Sequence, residues 1–540
     1  MKRRSYAILT SVLAASALVL SLSGCSNKYI GSSDPGAGNV KAASAAADYA
    51  SRLFDTSYVH TIDIAISGED WSDLKANPLE KTKYKVNITI DGETIDSVSF
   101  ATKGNTSLSS IASDSESDRY SFKVNFGKYN KGQTYYGLDK LNLNNIYADA
   151  TYMKDYLSYE LFREAGVDAP LVSYVWLTIN GEDHGLYIAI EDISDGYLDR
   201  ADNGEGELYK PESEMLANMG KPGNMQMPNG KDGEMPSMPK DGSFPEGMTP
   251  PKDGERPEKP QGGGDGMPGG FGGFGGFGSS SSGADLKYID DEISSYSDIF
   301  DNAETDADDE AKQRVIAALK GLSEGKDLEK YLDTDEIIRY FAAHNFVLNY
   351  DSYTGNMLHN YYLYENDGKL SMLPWDYNLA FGGFSGNQDA TSLVNKGIET
   401  PLSGTTDDAR PMWGWILKDE NYLKTYKSVY DSLISGYFES GKFESEIDAL
   451  YKMLYPYIEK DPSAFYTADE FTKAYENLKQ FCLLRAKSIR LQLDGELSTK
   501  DDEQDASKKV DASSIDISSM GSQGGGPSDR KSFPGQKNGA

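Results

Sequence analysis

NYDSYTGNMLHNYYLYENDGKLSMLPWDYNLAFGG, residues 349–383, is the stretch that decides how this chain is read. Asp351 is a lone acid among aromatics and amides, and Asn356 follows it by five positions. The run from Tyr361 has strand composition, and Asn366-Asp367-Gly368 is a turn signal, so a β-hairpin is expected after Asp351. Asp376 emerges beyond that hairpin, 25 residues after Asp351. Phosphoryl transfer from a nucleotide uses groups in this order. One Asp orients a hydroxyl nucleophile, and an Asn and a second Asp hold a divalent cation against the phosphates. The D-x-x-x-x-N spacing alone is common. Asn349-Tyr350 replaces the usual His-Arg, and the second acid lies in PWDYN rather than Asp-Phe-Gly. The weight therefore rests on what surrounds the motif.

Upstream, the chain reads as strands. VHTIDIAIS (59–67) and YKVNITI (84–90) alternate apolar and polar residues, and Asp91-Gly92 is a second hairpin signal. DSVSFATKGNTSLSS reads as a strand followed by a hydroxyl-rich loop. In RYSFKVNF (119–126), Tyr120, Phe122, Val124 and Phe126 share one face and Lys123 the other. TYMKDYLSYELFREAG reads as a helix with a Met153, Leu157, Leu161 stripe, stopped by Gly166. Glu160 and Glu164 fall in or beside that stripe, where either can pair with Lys123 or lie at the core edge. LVSYVWLTIN (171–180) and GLYIAIEDI (185–193) are two further strands. Glu191, at the end of the second, is either a hinge residue near a nucleotide base or an ordinary strand-end carboxylate.

Residues 284–500 read as mostly helical around the one hairpin. DTDEIIRYFAAHNFVLN is a helix capped by Asp333, and AKQRVIAALKGL, YLKTYKSVYDSLISGYF, FESEIDALYKMLYPYI and DEFTKAYENLKQFCLLRAKSIRLQL are amphipathic. Cys482 sits among Phe481, Leu483 and Leu484 and reads as an inert buried thiol. His359 reads as structural. The domain expectation is 1–24 signal peptide, 25–51 tether, 52–210 strand-rich lobe, 211–283 disordered Gly/Pro/Met-rich insertion, 284–500 helical lobe and 501–540 disordered tail. The Met-rich insertion also admits soft-metal capture.

The bulk numbers exclude several classes. The chain has 540 residues and a formal net charge of −32, which repels nucleic acid. Two cysteines and four histidines, without HExxH or Cys/His spacing, leave no disulfide framework and no zinc motif. MKRRSYAILTSVLAASALVLSLSGCSN reads as a secretory signal, and Leu-Ser-Gly-Cys resembles the bacterial lipobox, implying cleavage before Cys25 and its lipidation. Acyl chains would then hold the protein on the membrane, as the apolar run is marginal for a spanning helix.

KGNTS (103–107), SFKVNF, LNLNN (141–145), YMKDYLSYELFREAGV, GLYIAIEDI, ELYK (207–210), DSYTGN, HNYYLY and LPWDYNLAFG occur in order. Together they resemble the spore coat protein H (CotH) kinase family over roughly residues 55–500. That resemblance implies an α+β, atypical protein-kinase-like two-lobed fold. It also implies transfer of the γ-phosphate of ATP, with Mg²⁺ or Mn²⁺, to Ser/Thr of protein substrates. Carried over by position, Asp351 is the catalytic acid, Lys123 the phosphate lysine and Asp376 the metal acid. Asn356 and Asn360 are rival second metal ligands. Lys103 and Lys154 stand where the family often has Arg, which grips phosphate bidentately as Lys does not. The rival class is a non-catalytic surface, adhesion or coat-assembly protein on the same fold, separable by nucleotide binding. A carboxylate-pair glycosidase lacks its pair of facing acids.

Overall fold

The computed structural model describes residues 48–115, 117–212, 282–384 and 388–522. The expected signal peptide, Cys25, most of the tether and insertion, and the last residues of the tail lie outside them. The architecture is α+β. Seven strands, β1 (His60–Ala65), β2 (Tyr84–Ile90), β3 (Glu93–Lys103), β4 (Ser121–Asn125), β5 (Lys140–Asn144), β6 (Val172–Ile179) and β7 (Glu182–Glu191), close a barrel in the order β1-β2-β3-β4-β5-β7-β6. Every pairing is antiparallel except β1 with β6, which closes it. The β2–β3 turn has φ of 46° at Asp91 and 87° at Gly92, the left-handed pair that suits the twist of the flanking strands. Alternating apolar residues fill the interior; Phe122 stacks on Phe100, with ring centroids 4.5 Å apart.

Three expectations need correction. The hydroxyl-rich segment after β3 is a helix, Thr106–Ala112, because Leu108 and Ile111, one turn apart, both bury. The barrel is complete at Glu191, and the last strand before 210 belongs to a second sheet. ELYK supplies β8 (Glu207–Tyr209), which pairs with β9 (Tyr361–Asn366); β9 in turn pairs with β10 (Lys369–Pro374). Both described ends of the insertion meet at Asp298: Glu212 N–H donates to its carbonyl at 3.0 Å and Ser282 N–H to its carboxylate at 3.1 Å. Finally, residues 501–522 are packed rather than disordered, with Val510, Ala512, Ile515, Ile517 and Met520 buried. Apolar residues spaced through a polar segment anchor it by burial without a helical or strand period.

The helical part is built as the periodicity predicts. Helices span Asp309–Glu324, Thr334–Val347, Glu420–Leu433, Lys442–Ile458 and Ala468–Leu493. Asp333 accepts from Glu336 N–H as the cap of the second. Cys482 is fully buried, and burial pushes its thiol well up. Barrel and helices are joined by a buried ion pair: Arg119, just before β4, meets Asp461, between the last two helices, at 3.0 Å with both side chains unexposed. Arg119 also donates to the Asn145 and Leu186 carbonyls, so its donors are matched. Among the described residues no helix is long and apolar enough to cross a membrane.

Candidate functional site

The Asp351 loop leaves the Thr334–Val347 helix at Leu348, with φ of 53°. Its shape is imposed from several sides. Asn349 accepts from the Asp351 N–H at 3.2 Å and donates from Nδ2 to the Asp376 carbonyl at 3.1 Å, tying the two acids' backbones together. Arg410 donates to the Tyr353 carbonyl at 2.6 Å and the Gly355 carbonyl at 2.5 Å. Buried His344 bridges Thr354 at 2.7 Å and Tyr377 at 2.8 Å. Non-glycine residues Leu348, Leu358, Asn360, Asp376 and Phe381 all take left-handed backbone, with φ of 53–57°. Such conformations cost on the order of 1–3 kcal/mol each and cluster where geometry serves a site.

Both oxygens of the Asp351 carboxylate are held. His359 Nε2 lies 2.8 Å from Oδ1, and Asn360 Nδ2 donates to Oδ2 at 3.1 Å and to the Asp351 carbonyl at 2.8 Å. Burial pulls His359 down, but the hydrogen bond and charge of Asp351, with Asp376 and Glu212 beyond, hold its pKa above the usual value. Asn356, at the motif spacing, is exposed and lies beside Gly404. Asn360 is the amide that the fold brings to Asp351. The loop bends back after Asp351, which sets Asn360, and not the residue at the motif spacing, against its carboxylate.

Asp376 follows β10. Its N–H donates to the Tyr159 hydroxyl at 3.1 Å, while its carboxylate has no hydrogen bond or salt bridge among the described residues. Burial lifts its carboxyl pKa; Lys103 opposes the lift, Asp351 adds to it, and Lys210 and His359 oppose it further. Asp155, in the first turn of the Lys154–Ala165 helix, accepts from the next N–H, that of Tyr377, at 2.8 Å. Burial, and then Asp376, push Asp155 up as well. Lys103 Nζ donates to Asn144 Oδ1 at 2.8 Å and lies 5.5 Å from the Trp375 ring centroid. Burial pulls it down to about 8 against the attraction of Asp376 and Asp192. An unpartnered carboxylate beside further acids suits a hard divalent cation. No three His, Cys, Asp or Glu side chains form a closed cage among the described residues. Bound there, a cation would take phosphate and water oxygens as its remaining ligands.

Lys123, on β4, forms a salt bridge with Asp192 at 2.7 Å, and Asn142 Nδ2 donates to Asp192 at 2.8 Å. Burial would raise Asp192, but Lys123 outweighs it and holds the carboxyl below its usual value. Neither helix glutamate reaches Lys123: Glu160 pairs with Arg163 at 2.7 Å and Glu164 with Lys442. Glu191 points away from the lysines. It is fully buried, bonded to Tyr49, to the Leu171 N–H at 2.9 Å and to Arg200 at 2.8 Å. Lys154 is buried too, donating to the Gly521 carbonyl at 3.1 Å. Sequence reasoning thus missed Asp192, Asp155 and the contact of His359. Strand parity was the available signal for Asp192, since neighbours on a strand point oppositely. For Asp155 it was an acid in the first turn of the expected helix, where the helix N-terminus favours a carboxylate.

The sequence was compared with known proteins. The CotH kinase protein family model matches residues 100–489. Inner spore coat protein H of Bacillus subtilis (strain 168) is 20% identical over 365 residues, covering 66% of this chain and 79% of that protein. The family match spans Lys103, Lys123, Asp351, Asn360 and Asp376, the residues gathered above. The chain belongs to the CotH kinase protein family.

Proposed function

We propose that the protein is an ATP- and divalent-cation-dependent protein kinase of two-lobed, kinase-like build, with the barrel as one lobe and the helices as the other. The observation that carries this reading is the carboxylate of Asp351, fixed at both oxygens and tied through Asn349 to Asp376, whose own carboxylate is unpartnered. Asp351 orients a Ser or Thr hydroxyl and takes its proton as the oxygen bonds to the γ-phosphorus and the bond to ADP breaks. Asp376, with Asn360 Oδ1, would hold Mg²⁺ or Mn²⁺, which supplies charge neutralisation at the phosphates. Lys123, steadied by Asp192, holds a phosphate from the barrel side, as the lysine–acid pair does in kinases. Lys103 is within electrostatic reach of Asp376 and adds positive charge there.

The relative's name places that protein in the spore coat. For this chain we propose an extracytoplasmic setting, held on the membrane by a lipidated Cys25. The test incubates the full chain with labelled ATP and Mg²⁺ or Mn²⁺ and follows label on itself and on a generic protein. Transfer is expected, and Asp376→Ala and Asp351→Asn should each lower it roughly a hundred- to a thousand-fold. Absent transfer and no ATP-induced rise of the thermal midpoint would instead favour a coat-assembly or adhesion protein on the same fold.

A further inference from the structure

Lys210 has no role in the reading above, yet the fold brings it to the same place. It directly follows β8, and β8 lies against β9 of the hairpin between Asp351 and Asp376. Its Nζ lies 5.7 Å from the Trp375 ring centroid and 5.8 Å from that of Tyr362. Lys103 Nζ approaches the same Trp375 ring at 5.5 Å. A third lysine, Lys81, is within electrostatic reach of Glu212 and of Lys210, and donates to the amide oxygen of Asn105 at 2.9 Å. Among the described residues none of these three forms a salt bridge; their strongest polar partners are amides and ring faces. Burial pulls Lys103 and Lys81 down even with Asp376, Asp192 and Glu212 acting on them, and Lys210 adds like-charge repulsion to both, which a bound polyanion relieves. Asp376, with its unpartnered carboxylate, faces the group and supplies the place where a cation could bridge to that polyanion.

We infer that Lys210, Lys103 and Lys81 form an oligophosphate-binding subsite, with Lys210 gripping the phosphate chain opposite Lys123. This rests on the kinase reading for the source of the phosphate, a nucleoside triphosphate, but the subsite itself is defined by the lysines. Lys123 comes from the barrel and Lys210 from the end of β8 in the second sheet, so the chain of phosphates is held from two different sheets. The base contributes nothing to this grip, and affinity should follow phosphate number.

The experiment measures binding of ATP, inorganic tripolyphosphate and adenosine to the full chain, to Lys210→Ala and to Lys210→Arg, by calorimetry with Mg²⁺ present. Apo thermal midpoints report that each variant is folded. Lys210→Ala should weaken ATP and tripolyphosphate roughly tenfold or more and leave adenosine unchanged, with Lys210→Arg retaining most of the affinity. Equal ATP affinity in Lys210→Ala and the unaltered chain overturns the subsite while leaving the kinase reading intact. Equal loss of adenosine and ATP also overturns it, because Lys210 would then act through the Trp375 and Tyr362 rings. Tripolyphosphate binding that depends on Lys210, without any phosphate transfer, sustains the subsite and removes the kinase reading. If neither ATP nor tripolyphosphate binds the unaltered chain, both fall.

Discussion

Gly355 carries a constraint that no other residue type could meet: a Cβ there would sit 1.9 Å from the Tyr350 carbonyl oxygen. The close approach lets the loop double back between Asp351 and Asn360. Gly355→Ala must push the loop outward, and the cost of such overpacking is about 1–3 kcal/mol. We expect a lower thermal midpoint together with loss of label transfer, whereas Gly325→Ala, at a helix end with open space around it, should lower the midpoint without touching transfer. The sequence names Asp351, Asp376 and Lys123 as candidates, and the fold ties the backbones of the two acids through Asn349. Their partners were not. Asp192 rather than a helix glutamate meets Lys123, and Asn360 rather than Asn356 meets Asp351. Pairing depends on strand parity and on where a loop with left-handed residues turns, and neither is written in spacing.

The Thr334–Val347 helix shows what an element contributes beyond its period. Its buried face carries His344, which spans Thr354 and Tyr377 and so braces the catalytic-loop candidate against the residue after Asp376. Burial pulls His344 down to about 3 from an ordinary value of 6.5. A histidine depressed in the folded state binds its proton first when unfolded, so its effect is absent above pH 6.5. Below that it costs stability progressively until the folded pKa is reached. His344→Gln lacks this cost. Between pH 7.5 and pH 5.0 the stability gap between the natural chain and His344→Gln, read from urea midpoints, should shift by about 2 kcal/mol in favour of the variant. A gap that stays constant across that range would mean His344 does not titrate as its burial requires. The helix itself was readable from its cap and apolar stripe; the histidine's bracing role depends on two loops that only folding brings beside it.

At the scale of the molecule, two of the connections between the first half of the chain and the helices can be tested separately. The first is the Arg119–Asp461 pair, buried on both sides. Removing one partner strands the other's charge, at a cost of about 3–5 kcal/mol. Asp461→Ala should therefore lower the urea midpoint far more than Asp431→Ala, whose exposed salt bridge to Arg490 is worth little. The second is the packed segment 501–522. Met520 accepts from the Ala150 N–H at 3.2 Å and Gly521 from Lys154 Nζ at 3.1 Å, in the turn that launches the helix carrying Asp155. Truncation after residue 500 should lower the thermal midpoint and weaken ATP binding together, because Asp155 holds the backbone beside Asp376. A truncated chain with an unchanged midpoint and unchanged nucleotide affinity would show that segment to be dispensable.

By itself the sequence determined most of the elements and the chemistry available to them. Alternation and turn residues set the strands, apolar periodicity the helices, and the ordered motifs around Asp351 and Asp376 the family. These are local properties, carried by neighbours within a few residues or by motifs of fixed length. Tertiary structure alone decided the closure of the barrel, the passage of β8 into the second sheet, the packing of residues 501–522 and the partners of each charged side chain. Those depend on which surfaces bury against one another. Residues as far apart as Lys210 and Trp375 meet because the chain crosses between sheets, and apolar burial selects that crossing without leaving a periodic trace.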